Sequence, residues 1–153
     1  MHNDSSYVLE SHMVEDFEKK ISELPNPFDI NRMAFEFNYL SGKTDIVGET
    51  NQGELIAFEA KLNKWRVALN QAYRNSSFAN YSYVILPMLS SRKALKEEHE
   101  FVRRGVGLCS IDQSGILIEI EAPWKKPIQP WLTNSALKHI NGEENERAKA
   151  TTS

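Results

Sequence analysis

The sequence holds one cysteine, Cys109, in 153 residues. A lone thiol excludes an internal disulfide framework and a zinc site built from several thiolates. The four histidines are scattered, and none is spaced from another or from Cys109 as metal ligands are. No apolar run approaches the ~20 residues that span a bilayer. The opening MHNDSSYVLE lacks the charged-then-apolar order of a secretory signal. A cytoplasmic protein with no membrane partner is therefore expected. Glycine is sparse, and Gly42, Gly48 and Gly53 read as turn or strand glycines, so no phosphate-cradling loop is present. Nor is there a nucleophile elbow for Ser/His/Asp catalysis. Positive charge is not in excess: 18 Lys and Arg stand against 21 Asp and Glu, a net charge of −3. That excludes a protein coated with basic charge but not a local basic groove.

What remains is ordinary for a soluble globular domain, 41% hydrophobic and 25% charged, with the length of one domain. The charge is unevenly spread. Residues 1–59 hold 4 basic and 12 acidic side chains, residues 60–104 hold 9 and 3, and residues 105–153 hold 5 and 6. The front of the chain can supply carboxylate ligands and the middle can supply contacts to phosphate.

Residues 1–7 are polar and are expected to fray. Leu9, Met13, Val14, Phe17, Ile21 and Leu24 recur at helical steps, so a helix is predicted over 8–24, ended by Pro25-Asn26-Pro27. Three strands follow at 33–40, 44–49 and 55–62, separated by turn signals at 41–43 and 51–53, which predicts an antiparallel meander. In the first, Met33, Phe35, Phe37 and Tyr39 alternate onto one face. A helix is predicted over 63–75, a buried strand over 81–87, a charged helix over 91–104 capped by Gly105, and two strands at 106–111 and 116–120. Pro123, Pro127 and Pro130 then interrupt, a short helix is predicted over 132–140, and the chain from Asn141 reads as a solvated tail. The fold class is α/β, with one central sheet and helices on its faces.

The chemistry concentrates in TDIVGETNQGELIAFEAKL. Asp45 opens the second strand, and Glu59 and Lys61 share one face of the third; Ile56, Phe58, Ala60 and Leu62 form the opposite, apolar face. Pairing across the 51–53 turn brings Asp45 beside Glu59. Adjacent carboxylates repel, and a divalent cation removes the penalty. Mg²⁺ (or Mn²⁺) takes hard oxygen ligands, so Asp45, Glu59 and the carbonyl of Ala60 suffice as the protein's share. Such an ion acidifies water and stabilises charge on a phosphate. Lys61 can orient that water or hold the phosphate.

Asp45…Glu59-Ala60-Lys61 resembles the D…(D/E)xK signature of the PD-(D/E)xK, or restriction-endonuclease-like, nuclease superfamily. The superfamily core runs helix, three-stranded meander, helix, strand, and the order here matches over about 8–87. The residue before Asp45 is Thr44, not proline, a common variation in the superfamily. The resemblance implies roles for two more residues. Gln71 stands where some members carry a glutamine on the helix after the lysine strand. Glu10 stands where Holliday-junction resolvases and related small nucleases carry a glutamate in the first helix, and its spacing from Met13, Val14 and Phe17 puts it on the buried stripe. A Mg²⁺-dependent endonuclease acting on DNA as a homodimer is implied, with a nuclease-like domain over 8–122, a Pro/Trp extension over 123–140 and a disordered tail over 141–153. The strand pair at 106–120 or the segment 124–131 would supply the dimer surface.

Lys64, Arg66 and Arg74 lie on or near the helix after Lys61 and are candidate contacts to the nucleic-acid backbone. Trp65 and Tyr73 fit that helix's apolar stripe and read as core. Glu36 points away from Phe35 and Phe37, toward either the site or water. The alternative reading is a nuclease-fold module that binds DNA or protein in a larger assembly without turnover.

Overall fold

Every residue of Leu55–Ala60 is buried, so this segment has core on both faces and belongs at the centre of a sheet. The computed structural model describes residues 7–152 apart from 24 and 41, with side chains as far as 143. Among the described residues the elements are α1 (Glu10–Ser22), β1 (Ile30–Tyr39), β2 (Gly42–Thr50), β3 (Leu55–Ala60), α2 (Trp65–Asn75), β4 (Tyr81–Pro87), α3 (Met88–Leu95), α4 (Glu98–Arg104), β5 (Gly107–Asp112), β6 (Gly115–Ile120) and α5 (Pro130–Thr152). The strands form one six-stranded sheet in chain order. β1, β2 and β3 are antiparallel, as predicted; β3, β4 and β5 are parallel, and β6 returns antiparallel. The parallel steps need crossovers, which α2 supplies after β3, and α3 with α4 after β4.

Among the described residues α1 is the helix that covers one face. Its stripe Met13, Phe17 and Ile21 packs with Phe28, Ile46, Phe58 and Tyr83. Phe17, Phe28, Phe58 and Tyr83 meet edge-on, tilted or stacked at centroid distances of 4.9–6.2 Å. α2, α3 and α4 cover the other face over Val84, Leu86 and Leu108, while α5 lies over Ala34, Phe37, Val47 and Ala57.

Several expectations change. The helix expected over 8–24 begins at Glu10 and ends at Ser22, and Leu24 and residues 1–6 lie outside the described residues. Tyr7, expected to fray, donates its hydroxyl to Asp16 Oδ2 at 2.5 Å. The four alternating residues of β1 do not share a face. Met33 and Phe35 pack on the α1 side, whereas Phe37 and Tyr39 pack against Phe78 on the α5 side. The cause is Glu36, whose φ of 52° turns the strand over between them. The single helix expected over 91–104 is two. Glu97 leaves helical geometry (φ −118°, ψ 38°), and Glu98 and Glu100 then sit in the first turn of α4, where acid complements the helix dipole. Gly105 ends α4 in the left-handed region, φ 68°, as a C-cap should. The last helix does not stop at Ile140. Asn141 accepts a hydrogen bond from Arg32, and Glu143 accepts one from the main-chain N–H of Phe35 at 3.0 Å. His139 Nε2 donates to the Phe35 carbonyl at 2.8 Å. α5 thus occupies the open edge of β1, where unpaired main-chain groups would otherwise invite another strand.

Candidate active site

The β2–β3 ladder runs from Glu49–Leu55 to Ile46–Phe58 and stops there. One step on, the partners would be Asp45 and Glu59. There the main chain of β2 no longer pairs with β3, and Asp45 Oδ2 takes the Ala60 N–H at 2.9 Å instead. On its far edge β3 continues beside β4, with Glu59 opposite Val84 and Ala60 opposite Ile85. The sheet therefore opens between β2 and β3 at this point, and a carboxylate fills the gap.

Glu59 is 1% exposed. It lies on the α2 face, as the alternation of β3 requires, since Leu55 and Ala57 on that face pack in the α5 cluster. Asn75 Nδ2 donates to Glu59 Oε2 at 2.7 Å. The other end of the same amide, Oδ1, accepts from Thr44 Oγ1 at 2.8 Å and from the Tyr39 hydroxyl at 3.4 Å. Burial pushes the Glu59 carboxyl well above the ordinary carboxylate range, and the neighbouring Asp45 charge raises it further; the Asn75 bond works the other way. Sequence reasoning gave Asn75, Thr44 and Tyr39 no role. A signal for Asn75 existed: it follows Ala68 and Ala72 along the apolar stripe of α2, and an amide on such a stripe needs a buried partner.

Gln71 sits one turn before Asn75 on α2, with its side-chain oxygen buried and without a hydrogen-bond partner among the described residues. Lys61 lies just beyond β3, half-buried, its main-chain N–H donating to the Ile85 carbonyl at 3.2 Å. Asp45 and Ala60 line a cleft of about 450 Å³ together with Glu10, Glu15, Glu18 and Glu36. Glu59 and Lys61 do not line it. Glu10 is exposed rather than on the buried stripe. It begins α1, where the helix has not yet met the sheet, and it shares with Val14 and Glu18 the i, i+4, i+8 row that overlooks the cleft. Glu36 is held by Lys43 at 3.2 Å on the cleft rim.

The three candidate phosphate contacts do not form one patch. Arg66 lies over the Trp65 ring at 4.3 Å and reaches Glu97 at 3.6 Å. Lys64 is exposed at the start of α2. Arg74 is at the opposite end of the helix, roughly 12 Å along its axis from Arg66. Trp65 stacks on Phe101 at 5.6 Å, as a core residue should, but Tyr73 is 51% exposed.

Among the described residues no group of three or more His, Cys, Asp or Glu side chains is arranged to hold a metal ion. The donors that do meet are two carboxylates, Asp45 and Glu59, and the main chain of Ala60. The chemistry of that set fits a hard divalent cation: one carboxylate is buried and its ionisation is opposed by the other, a cost that a cation removes. Among the described residues no helix is long and apolar enough to cross a membrane.

The sequence matches no family profile and no curated protein. Among solved structures it is similar to SPO1766, a protein of unknown function from Silicibacter pomeroyi, with a TM-score of 0.59, 16% identity and 78% of each chain covered. It is also similar to SfsA from Pyrococcus furiosus, solved in complex with Ca²⁺, with a TM-score of 0.50, 14% identity, and coverage of 80% of this chain and 68% of that one. A repair endonuclease from Pyrococcus abyssi matches at a TM-score of 0.40 and 15% identity over 80% of this chain and 50% of its own, a likeness too distant to bear on fold or activity. The first two matches show a shared mixed α/β fold.

Proposed function

We propose that this chain is a Mg²⁺-dependent (or Mn²⁺-dependent) endonuclease that hydrolyses phosphodiester bonds in DNA. The observation that carries this reading is Glu59, a carboxylate buried at 1% exposure beside Asp45 where β2 and β3 part. Burying an acid beside a second carboxylate costs several kcal/mol unless a proton or a cation neutralises the pair. Asp45, Glu59 and the Ala60 carbonyl would hold the cation. When bound, the ion supplies positive charge at the scissile phosphate and acidifies water. The rest falls to the chain's own groups. The Lys61 ammonium orients water or phosphate, the Gln71 carbonyl and the Glu10 carboxylate support the site from α2 and α1, and Lys64, Arg66 and Arg74 contact the DNA backbone. That SfsA, on a similar fold, is described with Ca²⁺ agrees with a divalent cation here. A homodimer would let two such sites cut both strands.

One observation favours the alternative, a nuclease-fold module without turnover: Glu59 and Lys61 are withdrawn from the cleft that Asp45 lines. Incubation with plasmid, branched and single-stranded DNA and Mg²⁺ or Mn²⁺, alongside Glu59→Ala and Lys61→Ala, decides between them. Cleavage by wild type alone is expected. Equal cleavage by all three proteins would sink the site, and binding without cleavage of any substrate would favour the module.

A further inference from the structure

A second cleft of about 450 Å³ opens on the α2 side of the sheet, between the C-terminal end of α2 and the 123–129 connection. Tyr39, Tyr73, Arg74, Lys125, Lys126 and Ile128 border it, and among the described residues no acidic side chain does. The chain carries a net charge of −3, and the cleft between α1 and the sheet is lined by acids. Positive charge is thus gathered here against the overall balance.

The walls are fixed by main-chain bonds. Lys125 N donates to the Asn80 carbonyl at 2.9 Å, and Asn80 Nδ2 returns a bond to the Lys125 carbonyl at 3.2 Å. Ile128 N and Gln129 N both donate to the Ser77 carbonyl, at 3.0 and 2.9 Å. The Lys125 ammonium donates to the Arg104 carbonyl at 2.7 Å and stands 5.5 Å from the Tyr73 ring centre. The Arg74 guanidinium and the Lys126 ammonium have no hydrogen-bond or ion-pair partner among the described residues. Gathered cations with no counter-charge repel, and a bound anion reverses the sign of that interaction. Beside them the Tyr73 ring is 51% exposed, a flat surface of the kind on which a base packs, and Ile128, 77% exposed, adds apolar surface. The cleft also adjoins the candidate active site, because the Tyr39 hydroxyl in its wall donates to Asn75, which donates to Glu59.

We propose that this cleft binds a nucleic-acid strand, its backbone phosphate held by Arg74, Lys125 and Lys126 and an adjoining base packed on Tyr73. The inference rests on the proposed function for its substrate class, but it requires no turnover. The test is fluorescence anisotropy of a labelled single-stranded DNA oligonucleotide in EDTA, across a salt series, with wild type, Arg74→Glu, Lys126→Glu and Tyr73→Ala. Lys138→Glu, exposed on α5, controls for net charge. Each charge reversal is expected to weaken binding about tenfold and to make the salt dependence shallower by about one unit of slope. Tyr73→Ala should weaken binding about fivefold or more with the slope unchanged, and Lys138→Glu should bind as wild type. Wild-type affinity in both Arg74→Glu and Lys126→Glu, or an equal loss in Lys138→Glu, would overturn the proposal. So would loss, in Arg74→Glu, of binding to anionic lipid vesicles but not to DNA. Loss of oligonucleotide binding in a protein that cleaves nothing with Mg²⁺ keeps the cleft and sinks the catalytic reading. Cleavage undiminished in both charge reversals does the opposite.

Discussion

Asn75 Nδ2 donates to Glu59 Oε2 at 2.7 Å, so the last residue of α2 holds the buried carboxylate of β3. The same amide accepts from Thr44 Oγ1 on β2 at 2.8 Å. Three elements that meet where the β2–β3 ladder ends are therefore joined by one side chain, and Asp45 closes the remaining main-chain gap at Ala60.

Asn75→Ala is expected to cost about 2–3 kcal/mol of folding stability, because it strands a buried acid and a buried hydroxyl at once. Asn75→Asp should cost more, since it places a third carboxylate against Glu59. Urea denaturation measures both. A loss below about 0.5 kcal/mol for Asn75→Ala would mean that water replaces the amide.

The Glu59 carboxyl should make stability fall with rising pH. Its ordinary value is 4.5, and burial with the Asp45 charge raises it to about 8 in the folded protein. Between these values the unfolded chain has lost a proton that the folded chain keeps, so raising the pH favours unfolding. The contribution is fully present below the unfolded value and is lost as pH rises to the folded one. The metal-free wild type should therefore lose on the order of 3 kcal/mol between pH 5 and pH 8 relative to Glu59→Gln. Millimolar Mg²⁺ at pH 8 should raise the melting temperature of the wild type and leave Glu59→Gln unmoved. Parallel pH profiles for the two proteins would contradict the burial argument, and no response to Mg²⁺ would contradict the cation.

Much of this arrangement was legible in the sequence. The order of strands, the turn at 51–53 and the period-two alternation of LIAFEA by themselves place Asp45 beside Glu59. What escaped is instructive. Alternation assumes an unbroken strand, and Glu36 breaks it with a backbone angle that no residue type announces. The depth of Glu59 came from α2 and α5 closing over a face that the sequence alone presented as half polar. The basic cleft escaped because Arg74 and Lys125 are far apart in the chain, and helical spacing relates a residue only to its own helix. Tyr73 was assigned to the core by the same spacing, yet α2 turns it toward the 123–129 connection.

Glu36 holds φ at 52°, where a side chain costs roughly 1–2 kcal/mol and glycine costs little. Its partner Lys43 sits at 3.2 Å on an exposed surface and contributes little. Glu36→Gly should therefore be neutral or stabilising by up to about 1 kcal/mol, and Glu36→Val destabilising by about 2 kcal/mol, despite the usual preference of strands for valine. Thermal melts of the two variants give the sign. Greater stability in the valine variant would show that β1 runs straight through residue 36.

The helix beyond Ile140 gives the last prediction. Glu143 accepts the Phe35 N–H at 3.0 Å, while His139 Nε2 donates to the Phe35 carbonyl at 2.8 Å, so α5 satisfies both main-chain groups of one residue on the open edge of β1. If 141–153 were a solvated tail, Glu143→Ala would be silent. With Glu143 seated on β1, the variant should lose about 1–2 kcal/mol, the cost of freeing a partly buried N–H from a charged acceptor. Glu143→Gln, which keeps an acceptor, should lose less than half of that. Amide exchange at Phe35 reports the same bond directly and should speed up in Glu143→Ala, while the neighbouring ladder pair Ala34–Val47 stays protected. Unchanged exchange at Phe35 would return the segment to the solvated tail that its composition suggests.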